Sequence, residues 1–135
     1  MNKITSYELS TALDELRQTL GENFQLDENG SCSLSYKNEL PLLIQFFEDT
    51  GRLVFGSEFR SGLENAPGEE WLATLSWDWM GLQSNGCALS PDFKSGIVFI
   101  WRDVRSTALD QELADFLSDV LASKKAFDEA NLAAK

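Results

Sequence analysis

The chain has 135 residues, 43% of them hydrophobic, and sets 22 acidic against 11 basic side chains with no histidine, a formal net charge of −11. That length suits one domain, residues 1–135, with a core able to stand without disulfides or a metal. The hydrophobic content excludes wholesale disorder, and the acidic excess disfavours nucleic acid, anionic membranes and acidic proteins as partners.

Residues 5–20 read as an amphipathic helix. Thr5 and Glu8 have capping-box spacing, Leu9, Ala12, Leu13, Leu16 and Leu20 form its stripe, and Gly21 stands at its C-terminal cap. Three strands follow. Asp27-Glu28-Asn29-Gly30 is a turn signal, after which Cys32, Leu34 and Tyr36 alternate with Ser31, Ser33 and Ser35. Asn38-Glu39 turns into the strand Leu40 to Phe47, and Glu48-Asp49-Thr50-Gly51 turns into Arg52 to Phe59. Pro41 falls near a strand start, where a missing donor is tolerated.

A Gly-, Ser-, Asn- and Pro-containing loop at 60–68 leads to a helix at about 69–80, ended by Gly81 and Asn85-Gly86. This helix holds three of the four tryptophans: Trp71 and Trp79 share a face with Leu75, while Trp77 points elsewhere. Three tryptophans in so short a segment fit a core helix or an interface, where tryptophan is enriched. Cys87 to Ser90 reads as a short strand, Pro91 to Gly96 as a turn, and Ile97 to Val104 as the strongest strand of the chain. A final helix spans about 108–130, with Thr107 as cap and Leu109, Leu113, Phe116, Leu117, Val120, Leu121 and Phe127 as its stripe. Lys124 and Lys125 suit its C-terminal half.

The expected fold is α+β, in the order α-β-β-β-α-β-β-α with an antiparallel sheet. Two strands are apolar on both faces: Leu42, Ile44 and Phe46 oppose Leu43 and Phe47, and Ile97, Phe99 and Trp101 oppose Val98 and Ile100. A sheet with helices on one side alternates cleanly, so a partner chain or client segment is expected on the second face.

Chemistry finds little purchase. Without histidine, Ser-His-Asp and Cys-His sets are excluded, and no glycine-rich loop matches a phosphate-binding motif. Glu48-Asp49 and Glu69-Glu70 read as a hairpin turn and a helix first turn rather than as catalytic pairs. Asp27-Glu28-Asn29-Gly30 lacks the alternating ligands and closing glutamate of a calcium loop. Cys32 and Cys87 fit two reduced thiols, one disulfide being the alternative. The expectation is therefore no enzyme, no cofactor and no metal. Lys3 leads into the mixed segment Ile4 to Glu8, unlike a signal peptide, and no apolar run reaches a membrane span. A cytoplasmic protein is expected.

Several segments, in their order, resemble the CesT-type, or class I, chaperones of bacterial type III secretion. Leu26 to Leu34 is similar to that family's first turn and strand, and Glu48 to Phe55 to its second hairpin. Gly86-Cys87-Ala88-Leu89-Ser90-Pro91-Asp92 followed by Gly96 to Trp101 is similar to its "GA-x-LS-x-D…G-x-V-x-L" stretch. The resemblance implies a homodimer in the bacterial cytoplasm that binds an extended N-terminal segment of a secreted effector without catalysis. It assigns Trp71, Leu72, Leu75 and Trp79 to the dimer interface, and Leu34, Tyr36, Leu43, Phe47, Leu53 and Phe55 to the effector. Where the family's second helix often ends in a small residue and asparagine, this chain has Asp78-Trp79-Met80. Competing readings are a YbjN-like accessory or regulatory protein, and an acidic immunity protein that masks a basic toxin.

Overall fold

The computed structural model describes residues 11, 14–18, 26–36, 40–47, 49–77, 86–104 and 108–133. Helix α1 is seen at 14–18. It is followed by β1 (Ser31–Tyr36), β2 (Leu40–Phe47), β3 (Arg52–Arg60), α2 (Gly68–Trp77), β4 (Ala88–Asp92), β5 (Ile97–Asp103) and α3 (Leu109–Ala133). The element order is the one the sequence implies. The strands form a five-stranded antiparallel sheet ordered β1-β2-β3-β5-β4. Of the first helix's expected features, Leu16 is fully buried. Thr5, Glu8, Leu9, Ala12, Leu13, Leu20 and Gly21 lie outside the described residues, as do Glu48, Asp78 to Asn85 and Thr107.

The chain divides into two compact units. The first comprises Met1–Gly56 and Arg102–Phe116. Its β1–β2 register pairs Cys32 with Ile44 and Ser33 with Leu43, and its β2–β3 register pairs Ile44 with Phe55 and Phe47 with Arg52. Paired residues share a sheet face. Leu42, Ile44, Leu53 and Phe55 are buried on one face, and the Phe55 ring lies 6.1 Å from that of Phe116 on α3. Burial of each such side chain contributes roughly 1.5–3 kcal/mol. The Arg102 guanidinium covers the Phe116 ring at 5.9 Å, and Val104 N donates to Leu53 O at 2.8 Å.

The β1 turn is locked by side chains. Asp27 Oδ1 accepts from the amides of Asn29 and Ser31, both at 2.9 Å, as an Asx turn does. Gly30 sits at φ 77°, where a Cβ would meet Phe46 O at 2.5 Å. Only glycine fits both constraints.

The second unit comprises Ser57–Trp101 and Leu117–Lys135. Strand β4 runs two residues further than its sequence implies, with Pro91 opposite Val98 and Asp92 opposite Ile97. Among the described residues β4 is the last strand in the sheet order, a position that tolerates proline. The turn tightens after Asp92, whose Oδ1 accepts from Lys94 N at 3.1 Å while Gly96 N donates to its carbonyl at 3.0 Å.

The α3 stripe needs one correction. Leu109, Leu113, Phe116, Val120, Ser123 and Phe127 are buried at alternating steps of four and three, whereas Leu121 is exposed. One residue past Val120, Leu121 is rotated about 100° off the packed face. The helix also continues to Ala133, so Lys124 and Lys125 fall short of its last turn.

Candidate functional site

The two-sided character of β2 decides which residues remain available. Its register places Leu43, Gln45 and Phe47 on the face opposite Ile44, together with Ser31 and Ser33 of β1 and Arg52 and Val54 of β3. On this face Val54 and Gly56 are buried, Leu43 is half-buried, and Phe47 is 44% exposed. The predicted effector set thus divides. Leu43 and Phe47 are accessible, while Leu53 and Phe55 are buried in the core on the other face. Leu34 and Tyr36 occupy the register positions opposite Leu42 and Leu40; their side chains lie outside the described residues.

Beside Phe47 opens a pocket of about 450 Å³, lined by Asn29, Gln45, Phe46, Phe47, Asp49, Thr50 and Arg52. Two of its polar residues, Gln45 and Arg52, are already bonded. Gln45 Nε2 donates to Asn29 O at 3.0 Å, and Ser31 Oγ donates to Gln45 Oε1. Arg52 Nε donates to Asp103 Oδ1 at 3.2 Å, in a surface ion pair. What these groups supply is shape. Apolar area on this face comes from Phe47. Gln45, Thr50 and Arg52 escaped the sequence reading, because only the register gathers them around Phe47. The serine alternation of β1 was the one visible clue.

In the second unit, α2 begins with Glu69 and Glu70 in its first turn, as the helix dipole favours. It is held by Arg60, whose Nη1 donates to Thr74 Oγ1 at 2.6 Å and whose Nη2 donates to Glu70 Oε2 at 3.1 Å. Thr74 Oγ1 donates in turn to Glu70 O at 2.9 Å. Trp71 and Thr74 are buried, and the Trp71 ring lies 4.7 Å from that of Phe93. Trp77, off the Trp71–Leu75 stripe, packs between Phe59 and Phe127. Of the predicted dimer set, Trp71 is 7% exposed, Leu72 is 67% exposed and Leu75 is half-buried. Trp79 lies outside the described residues. Phe93, 64% exposed in the β4–β5 turn, adds an apolar side chain beside Trp71 that the sequence did not suggest.

On β5, Val98 and Ile100 are buried, while Ile97 and Phe99 are half-buried and Trp101 is exposed. No disulfide joins Cys32 and Cys87, the first half-buried and the second buried. Among the described residues no cluster of metal-ligating side chains occurs, and no helix is long and apolar enough to cross a membrane. The Asp27 carboxylate is committed to its turn.

The fold has solved relatives. A chain of the HopA1–SchA chaperone–effector complex superposes with a TM-score of 0.63 at 19% identity, over 93% of this chain and 98% of that one. A chain of the ExsC–ExsE complex gives 0.63 at 17% identity, over 96% of each. The Yersinia pestis type III secretion chaperone SycH, solved with a stable fragment of YscM2, gives 0.53 at 14%, over 90% and 98%. Identities this low establish a shared fold. Comparison with curated proteins gives no match. The sequence model of the Tir chaperone protein (CesT) family matches residues 11–127. The chain belongs to the Tir chaperone protein (CesT) family.

Proposed function

We propose that this chain is a cytoplasmic bacterial type III secretion chaperone that binds the extended N-terminal segment of an effector and keeps it soluble and competent for secretion. The observation that carries this reading is the family match across residues 11–127, which takes in residues of both units; in this reading 1–135 works as one functional domain. Of the fold relatives, one comes from a chaperone–effector complex and one is a type III secretion chaperone solved with a partner fragment. The physical features agree. Phe47 is half in solvent at the end of β2, and β1 among the described residues pairs only with β2. An extended segment added to that edge gains backbone hydrogen bonds and lays alternate side chains over the face that carries Leu43 and Phe47. Net charge of −11 keeps such a surface soluble when empty.

The working form in this reading is a homodimer, with the outer side of α2 at Leu72 and Leu75 in the interface. Trp71 and Trp79 belong to the same proposed set. Catalysis, metal and cofactor have no part in it. Co-expression with the N-terminal segment of the protein encoded by the neighbouring gene tests the proposal. A complex that survives size exclusion at high salt supports it. A chain that stays monomeric, folded and unbound overturns it, and a complex that dissolves at moderate salt favours charge masking instead.

A further inference from the structure

The pocket beside Phe47 has a shape and a rim that specify more than a generic sticky patch. Its walls are pre-set, since Gln45 is tied to Asn29 and Ser31 and Arg52 is tied to Asp103. A pre-set wall orders little on binding, so apolar area buried there is retained as affinity. Its volume, about 450 Å³, holds one large side chain with the backbone that carries it. Among the described residues β1 pairs only with β2, and it places Ser31 and Ser33, both small, on this face. A neighbouring strand can therefore extend a side chain across them toward Gln45 and Phe47. Asp49, also in the pocket lining, is exposed and makes no ion pair among the described residues, in a chain whose net charge is −11.

From this arrangement we infer that the pocket is a specificity site for an extended partner segment bearing an aromatic residue and a basic residue two positions along. The aromatic ring packs against Phe47 between Gln45 and Arg52. The lysine or arginine, on the same strand face about 7 Å away, meets Asp49. The inference rests on the client-binding reading and adds to it the residue types that select a client.

Selection of a random dodecapeptide phage library on the full chain tests this directly. The expected result is enrichment of an aromatic-x-basic pattern. With Asp49→Lys the basic preference should reverse to Asp or Glu while the aromatic persists. With Thr50→Trp, which fills the pocket from its exposed turn, the aromatic preference should disappear. A selected peptide should then bind at least tenfold more weakly by fluorescence anisotropy. Circular dichroism and thermal unfolding verify that both variants fold. Enriched peptides without the pattern, or with a pattern that neither variant alters, overturn the pocket assignment. The chaperone reading then still stands on co-purification with an effector segment. Failure to enrich any peptide, together with failure of that co-purification, overturns both.

Discussion

The indole of Trp77 stacks on the ring of Phe59 with 5.4 Å between centroids, and Phe127 stands edge-on to both at 5.7 and 5.2 Å. This triad fastens α2 to β3 and α3 within the second unit. Each such pair contributes about 0.5–1.5 kcal/mol beyond the area it buries. Trp77 therefore serves the interior, and the outer side of α2 is left to Leu72.

Trp77→Ala should cost about 3 kcal/mol in urea unfolding, because it removes two ring contacts and leaves a cavity. Leu72→Ala should stay within about 0.5 kcal/mol in the monomer, since that side chain is 67% exposed. By sedimentation equilibrium, however, the Leu72 variant should dissociate more readily. An unchanged dimer in Leu72→Ala would remove that residue from the interface.

Phe55 and Phe47 separate stability from recognition. Phe55→Ala, at a fully buried ring beside Phe116, should lower stability by about 4 kcal/mol. Phe47→Ala should cost about 1 kcal/mol or less, yet weaken client binding by about 1–2 kcal/mol, roughly tenfold. Calorimetric titration with the client segment measures the second effect. Equal loss of stability in the two variants would contradict this division.

The β1 turn makes a backbone prediction. Gly30→Ala should cost about 3 kcal/mol, combining its φ of 77° with the clash of a Cβ at 2.5 Å from Phe46 O. Gly62→Ala, at φ 79° with open space around its Cβ, should cost only about 1 kcal/mol. Denaturant midpoints compare the two. Similar penalties would mean that the close approach at Phe46 relaxes freely.

Asp92 predicts an acid limb. The Ser95 hydroxyl, followed by the amides of Ser95 and Lys94, holds its carboxyl below the ordinary carboxylate range. A depressed folded-state pKa adds stability above the unfolded value near about 4, and that stability is lost as pH falls through the folded value. Asp92→Asn should thus melt below the native chain at neutral pH, with the gap closing at acid pH. A gap constant from neutral to strongly acid solution would show that the charge of Asp92 is immaterial.

Much of this architecture was legible along the chain. Strand and turn order followed from local rules: the serine alternation of β1, the Asp27 to Gly30 turn, and the β-branched run from Ile97. These depend on neighbours a few residues away. The extension of β4 through Pro91 was missed because a proline is tolerated there only by virtue of its place at the sheet edge. Leu121 was misassigned because its apolar character matched the stripe while its angle did not.

Sequence alone determined the element order, the acidity and the surplus of apolar side chains on β2, β5 and α2. It left open which of two equally apolar faces of β2 is covered. Tertiary packing decided that, burying Leu53 and Phe55 and leaving Phe47 half in solvent in the pocket that Asp49 also lines. It also drew Trp77 inward against Phe59 and Phe127. Hydrophobicity is non-directional, so composition states how much surface must be buried, and only the contacts between distant segments choose which surface that is.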